Sequence, residues 1–178
     1  MTRSKTSLKA FETLIRSVMH LMPDAMRETI KLRTFGFLKI PLLFLISPTV
    51  LEVSEEKVVV RVPLNRRTRN HLKSMYFGVL AAGADCACGA LAYYLIDKMA
   101  KGHVSLIFKD FKAEFLKRAE SDVVFSCVQG SLIEEAIRLT LNTRERQNVP
   151  VEVTARVPSV LGSEPIARFV LTLSLKYQ

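Results

Sequence analysis

Residues 74–96 constrain the fold more than any other stretch of this 178-residue chain. These twenty-three residues contain one charge, Asp85, and no proline, and they are rich in alanine. Alanine favours helix, and a helix that is apolar all round is buried on nearly every side. The stretch therefore predicts one long buried helix at about residues 73–97. A buried carboxylate is costly unless it is paired or functional, which makes Asp85 the first candidate site residue.

Three glycines, Gly78, Gly83 and Gly89, lie in the predicted helix. Each weakens an isolated helix by roughly 1 kcal/mol relative to alanine, so we expect another group to approach the backbone closely. Gly78 and Gly89 share one face with Asp85 and with two alanines. The stretch is also long enough to span a bilayer. Its glycines, its central aspartate and the strand patterns that follow favour a protein core instead.

Alternating apolar and polar residues predict an antiparallel sheet before and after this helix. The predicted strands flank a turn at 54–57 and then occupy 104–118, 122–129, 149–157 and 166–177. Residues 131–147 fit either a helix or a strand with a long turn. In the strand at 104–118 the odd-numbered residues, including Ser105 and Ile107, are predicted to face inward. This order indicates an α+β fold in which a curved antiparallel sheet of five or six strands wraps round one long helix.

The first 47 residues are predicted to be a helical appendage to a single domain at residues 48–178. Residues 8–20 have the apolar spacing of an amphipathic helix, and a second helical run follows Pro23. We expect a chain without the appendage to keep a folded core.

The end of the appendage, residues 35–46, is an interrupted apolar run. It could cover the sheet, line an acyl pocket or dip into a membrane surface. Residues 1–47 also carry eight basic and three acidic residues, over half of the net charge of +9. This charge fits either an anionic partner or an uneven solvated surface, and peripheral contact with a membrane stays open.

The three cysteines, Cys86, Cys88 and Cys127, are interpreted as reduced, which is typical of a cytoplasmic protein. Cys86 and Cys88 are interpreted as small apolar filler of the helix. No continuous apolar core lies in the first twenty residues, so no secretory signal is predicted. The sequence has no phosphate loop, zinc-ligand pattern or aromatic–basic interleaving. We therefore expect neither a metal nor a nucleic-acid partner.

A motif before and within the long helix resembles a known family. The motif consists of Asn70-His71, Met75-Tyr76, Gly78 and Asp85, with the acid seven residues after the glycine. Together with the order of strands round a buried helix, it resembles the hotdog-fold PaaI-type acyl-CoA thioesterases. It is more similar still to single-hotdog relatives resembling the C-terminal domain of YiiD. The resemblance covers about residues 48–178. It implies thioester hydrolysis, no cofactor beyond the coenzyme A of the substrate, and a homodimer or homotetramer with sites at the subunit boundary.

The resemblance implies a catalytic role for three residues. Asp85 matches the acid that acts as general base or nucleophile at the thioester. Asn70 matches an asparagine near the thioester and the attacking water. Ser105 matches a strand serine that assists in some members.

The start of the helix departs from the family pattern. Gly78 matches the second glycine of the family's His-Gly-Gly turn, and Tyr76 stands in place of the histidine. Phe77 stands in place of the first glycine, whose amide polarises the thioester carbonyl. The Phe77 amide remains, and a helix start favours a developing oxyanion. Its side chain, however, could block the approach of the thioester.

A basic loop precedes the helix. Arg66, Arg67, Arg69 and Lys73 could bind the phosphates of coenzyme A, or they could form a solvated loop.

Two hypotheses of function follow. The protein could be an acyl-CoA hydrolase, or it could be a non-catalytic hotdog module that binds acyl chains or only builds an oligomer. Catalysis requires an ionised Asp85 facing a cavity, whereas burial favours the protonated form. We therefore expect a hydrogen-bond donor at its carboxylate: the Asn70 amide, the Ser105 hydroxyl or the helix start of a partner subunit.

Overall fold

One antiparallel sheet of six strands organises the described part of the chain, which is residues 22–178 of the computed structural model. The strands are β1 (Thr49–Val53), β2 (Val58–Val62), β3 (Val104–Phe115), β4 (Val123–Cys127), β5 (Gln147–Arg156) and β6 (Pro165–Tyr177). Their order across the sheet is β1-β2-β4-β5-β6-β3. The curved sheet and its long central helix confirm the predicted fold class. The amphipathic helix predicted at residues 8–20 lies outside the described residues.

Helices cover the sheet. Within residues 22–178 they are α1 (Asp24–Lys39), α2 (Pro41–Leu45), α3 (Phe77–Ala100), α4 (Gly130–Thr143) and α5 (Pro158–Leu161). The open choice at residues 131–147 is resolved in favour of helix by α4. Ile133, Ala136 and Ile137 are buried in α4, and their spacing places them on one helical face.

The central helix α3 is buried along most of its length, as its sequence predicts. It begins at Phe77 rather than near residue 73, because the preceding residues form a tight turn. The Asn70 side chain accepts hydrogen bonds from the amides of Leu72 (2.9 Å) and Ser74 (3.3 Å). Lys73 has a φ of +64°, which a helix does not allow. The local hydrogen bonds of Asn70 therefore compete successfully with helix formation.

Among the described residues, Phe77–Ala100 is the one helix long and apolar enough to cross a membrane. Burial inside the protein covers 72% of its most apolar part. Because the core helix of a folded domain passes the same test of length and composition, the helix by itself is weak support for a membrane span.

Strand β3 corrects one prediction. The odd-numbered residues do not face inward along the whole strand: Ile107 is 59% exposed, whereas Val104 is buried and Phe108 packs against the core. A β-bulge between Phe108 and Asp110 breaks the pairing with β6 and inserts one extra residue. A single inserted residue exchanges the two faces of a strand, so after the bulge odd-numbered residues such as Phe111 lie on the same face as Phe108, although Phe111 itself stays 42% exposed.

Helices α1 and α2 pack against β1 and α3. The Thr29 hydroxyl accepts a hydrogen bond from the Val50 amide (2.9 Å), and the Arg33 guanidinium donates to the Pro48 carbonyl (2.8 Å). Leu43 and Ile46 are buried in the same core as the sheet. The core thus extends into the predicted appendage, and the ability of residues 48–178 to fold alone stays a prediction.

Candidate active site

A cavity of about 570 Å³ opens between α1, α2, α3 and β3. Apolar side chains line it from several sides, among them Leu32 and Phe35 of α1, Leu43 of α2, and Leu106 and Phe108 of β3. A largely apolar cavity of this size with a few polar groups is typical of a small-molecule site.

Asp85 lies at one end of this cavity. The residues that α3 contributes to the lining begin at Asp85 and continue only toward the end of the helix. Burial raises the pKa of the Asp85 carboxyl from 3.8 to about 6. Within residues 22–178 no hydrogen bond offsets that burial. A pKa near 6 still leaves roughly nine in ten carboxyl groups ionised at pH 7, as general base catalysis requires.

The cavity changes character along α3. One turn after Asp85 comes Gly89, and one further turn on comes Tyr93, whose ring centroid is 5.6 Å from that of Phe35. At the far end, the Lys31 ammonium lies 2.9 Å from Glu28 and 3.9 Å from the Asp97 carboxylate. The cavity therefore runs from one acid, past small and then aromatic residues, to a charged cluster.

The start of α3 offers hydrogen-bond donors. Among the described residues, the amides of Phe77 and Gly78 have no backbone partner, whereas the Tyr76 amide donates to the Thr68 carbonyl (2.9 Å). The Phe77 ring is 59% exposed and packs against Tyr76 and Phe115, with centroids 4.8 and 6.4 Å away. The free amides at a helix start could stabilise an oxyanion, and the Phe77 ring stands beside them.

Asn70 and Ser105 do not contact Asp85 within one chain. The Asn70 side-chain nitrogen donates to the Ser74 hydroxyl (3.2 Å). The Asn70 side-chain oxygen accepts a hydrogen bond from the Leu72 amide in the turn before α3. The Ser105 hydroxyl donates to the Lys176 carbonyl (3.2 Å) on the neighbouring strand. Neither residue lines the cavity that contains Asp85. The structure thus brings Asn70 to the helix start and leaves Ser105 at the edge of the sheet.

The basic loop lies next to the helix start. Arg66, Arg67, Arg69 and Lys73 are exposed, and within residues 22–178 none of them forms an ion pair. Arg69 pairs with Met75 through an isolated bridge, which closes the loop just before α3. Four cations without a local counter-ion, close to free helix amides, favour an anionic ligand at this end of the helix.

Sequence reasoning missed much of the cavity wall. Tyr93 lies two turns after Asp85, so helical spacing could have placed it on the same face. Glu28 and Lys31 come from a segment whose sequence carries no signal of proximity to Asp85. Phe35 belongs to the run for which an acyl pocket was one of three alternatives, and it does line the cavity.

Cys86, Cys88 and Cys127 are buried, and no disulfide joins them. Within residues 22–178 no three histidine, cysteine or acidic side chains are grouped as metal ligands.

A six-stranded antiparallel sheet curved round one long helix places this protein in the hotdog fold class. The chain belongs to the family described as a domain of unknown function, DUF4442, which it matches over residues 28–161. That match begins inside α1. No curated protein matches the chain.

Solved structures share the fold at low sequence identity. A protein of unknown function from Chlorobaculum tepidum matches with a TM-score of 0.72 and 11% identity, over 88% of this chain and all of its own. A protein of unknown function from Pseudomonas aeruginosa, named with the addition "probable thioesterase", gives 0.69 and 18%, over 84% of this chain and 96% of its own. A thioesterase family protein from Silicibacter pomeroyi gives 0.56 and 17%, over 84% and 99%. At these identities the likeness concerns the fold.

Proposed function

We propose that this protein hydrolyses acyl thioesters, with acyl-CoA as substrate and Asp85 as general base or nucleophile. One observation carries the proposal: Asp85, whose pKa of about 6 leaves it mostly ionised at pH 7, lies at the end of an apolar cavity in a hotdog fold, away from the charged cluster at the other end. The names of similar structures, a thioesterase family protein among them, support the same reaction class. The spacing from Asn70 to Asp85 further supports kinship with the YiiD-like relatives of the PaaI type.

The proposed reaction adds water to the thioester carbonyl and breaks its carbon–sulfur bond, which yields a carboxylic acid and a thiol. As a general base, Asp85 removes a proton from the attacking water, and that proton passes to the departing thiolate. As a nucleophile, Asp85 attacks the carbonyl carbon and expels the thiolate, which forms an anhydride that water then hydrolyses to the carboxylic acid and free Asp85. Both routes need the charged carboxylate, and a pKa of about 6 provides it.

The oxyanion donors are proposed to come from a second copy of the chain. Phe77 precedes Asp85 by eight residues, so about 12 Å of helix separates the free amides from the acid. One carbonyl group cannot contact both over that distance. A homodimer that sets the helix start of one subunit beside Asp85 of the other would complete the site, and Asn70 would come with that helix start. A homotetramer could repeat the same contact.

A hydrolysis assay on the full-length protein with a series of acyl-CoA substrates tests the proposal. We expect Asp85→Asn to keep the fold and to lower kcat/KM by roughly 10²–10⁴-fold, the usual contribution of a positioned base. The matched control is Asp24→Asn, which changes an exposed aspartate of α1 outside the cavity. Equal activity of Asp85→Asn and wild type would show that Asp85 is not the catalytic acid.

A second candidate function is acyl-CoA binding without hydrolysis. The Phe77 ring favours it, because the ring stands where the family places a glycine. Calorimetric binding of acyl-CoA by a wild-type protein that releases no thiol would support this alternative. Under the hydrolase proposal, Phe77→Gly keeps or raises the rate, since the amide stays and the obstruction is removed.

A further inference from the structure

Two of the three glycines of α3 are explained by packing. A Cβ at Gly83 would lie 2.4 Å from the Phe125 ring, which is fully buried. A Cβ at Gly78 would lie 2.7 Å from the Tyr76 ring. No side chain fits at either position unless its neighbour moves: at Gly83 the fully buried Phe125 ring would have to shift, and at Gly78 the half-exposed Tyr76 ring would have to turn away.

Gly89 has no such explanation. A Cβ there would meet only Asp85 Oδ1 at 3.5 Å and Phe108 Cζ at 3.9 Å, which are ordinary contact distances. Its backbone is helical, and alanine is more favourable than glycine in the interior of a helix. Gly89 therefore costs helix stability without relieving any clash in the core. What its missing side chain does provide is open space in the cavity beside Asp85.

The cavity extends in one direction from that space. Its α3 lining runs from Asp85 through Gly89 to Tyr93 and Asp97. Eight residues of helix rise separate Asp85 from Tyr93, about 12 Å, and twelve separate it from Asp97, about 18 Å. Tyr93 and Phe35 both line the path at the first of these distances, with their ring centroids 5.6 Å apart. The charged cluster of Lys31, Glu28 and Asp97 ends the path about 18 Å from Asp85, because charged groups disfavour an apolar chain.

We propose that this path binds the acyl chain of a medium-length thioester, and that Gly89 and Tyr93 determine the accepted chain length. The inference rests on the proposed function, because that proposal places the thioester at Asp85. The first acyl carbons pass over Gly89, and the chain reaches the Tyr93–Phe35 pair after about ten carbons, because an extended chain advances ~1.2 Å per bond. Acyl groups of roughly eight to twelve carbons therefore fit best. The apolar lining suits an acyl chain, and the basic loop at the opposite end of α3 suits the phosphates of coenzyme A.

The test uses the full-length protein and saturated acyl-CoA substrates of four to sixteen carbons. For wild type, kcat/KM should rise with chain length to a maximum at eight to twelve carbons. Gly89→Ala should raise Tm by about 2–4 °C, through helix propensity, while it lowers kcat/KM for those chains at least tenfold. Tyr93→Ala and Phe35→Ala should move the maximum to longer chains. Phe37→Ala is the matched control, because Phe37 lies on α1 with its ring packed on Phe44 and outside the cavity.

Binding of non-hydrolysable acyl-CoA thioethers separates this inference from the proposed hydrolysis. Wild-type affinity should improve about fourfold per added methylene and then level off at eight to twelve carbons. A thioether series that behaves in this way without any thioester cleavage would refute the hydrolase proposal and leave the acyl channel standing. Affinity that is independent of chain length, or a chain-length limit that is identical in wild type, Gly89→Ala and Tyr93→Ala, would overturn the acyl channel.

Discussion

The start and the middle of α3 are close in sequence but differ in physical character. At the start, the free amides of Phe77 and Gly78 lie at the surface beside four exposed cations. In the middle, Asp85 is largely removed from water, and no donor within residues 22–178 bonds to it. About 12 Å of helix separates the two regions.

Under the proposed function, the two regions of α3 have different roles in catalysis. The helix start stabilises negative charge, whereas the Asp85 cavity transfers a proton and holds the apolar part of the substrate. One chain keeps the two apart, so activity should depend on assembly.

Loss of a dimer should abolish activity. The β1 edge of the sheet is covered by α1, whereas β3 forms the opposite edge and exposes Ile107, Phe111 and Phe115. An open apolar edge is a template for pairing with another chain. We expect light scattering to give about twice the chain mass of 20.1 kDa for wild type. Phe111→Lys, at an exposed edge position outside the Asp85 cavity, should give the single-chain mass and no turnover.

Val160→Lys is the control for the edge variant, because Val160 is 58% exposed on α5, away from β3. A wild-type protein that stays at the single-chain mass at micromolar concentration, yet turns over substrate, would contradict the division between two subunits.

Removal of residues 1–47 should leave a folded but weakened core. All six strands and α3 follow residue 48, so their pairing is retained. Loss of buried Leu43 and Ile46 should lower the free energy of unfolding by roughly 3–6 kcal/mol. The Asp85 cavity would also lose its α1 wall, so activity on long acyl chains should fall further than activity on short ones.

Circular dichroism and urea unfolding measure this effect, and a chain that starts at residue 22 is the comparison. An unfolded 48–178 protein would show that α1 and α2 belong to the core and not to an appendage.

The charge on Asp85 should make both activity and stability depend on pH. Activity should rise about tenfold between pH 5 and pH 7, because the base must be ionised and its pKa is about 6. The folded state binds this proton more tightly than the unfolded state, whose carboxyl titrates near 3.8. Stability is therefore lost as pH rises from about 4 to above 6.

Asp85→Asn carries no charge, so it should match the wild-type Tm near pH 4 and exceed it at pH 7.5. With allowance for partial exposure, the gain should be roughly 2 kcal/mol, or about 4–8 °C. The opposite result, a less stable Asp85→Asn at pH 7.5, would mean that a donor from a second subunit stabilises the carboxylate. That outcome would show direct contact between Asp85 of one subunit and a hydrogen-bond donor of the other.

Neutralising the basic loop should have the smallest effect. Substituting alanine for Arg66, Arg67, Arg69 or Lys73 should raise KM for acyl-CoA by about two- to fivefold each, as expected for exposed charge pairs. The effect should shrink at high salt and vanish with acyl-pantetheine, which lacks the nucleotide phosphates. Lys101→Ala, at the far end of α3, is the control. An equal rise in KM with both substrates would argue against phosphate binding.

The sequence by itself predicted the parts of this protein that depend on local patterns. The long apolar run predicted α3, and strict alternation predicted strands such as β5 and β6, because periodicity directly reflects which side is buried. Asp85 was recognisable as a candidate site residue because it is the one charge in the apolar run of residues 74–96, and a buried carboxylate is costly unless it is paired or functional. The motif that begins at Asn70 led to the hotdog fold, which the structure confirms.

Only the tertiary structure decided the features that depend on contacts between distant residues. The bulge after Phe108 turned the second half of β3 over, and a one-residue insertion leaves no periodic signal of its own. The packing of α1 placed Phe35 opposite Tyr93, some fifty-eight residues away in sequence. Gly83 and Gly89 are the same residue type in the same helix, and only their surroundings distinguish them. A Cβ at Gly83 would clash with the Phe125 ring, whereas a Cβ at Gly89 would make only ordinary contacts.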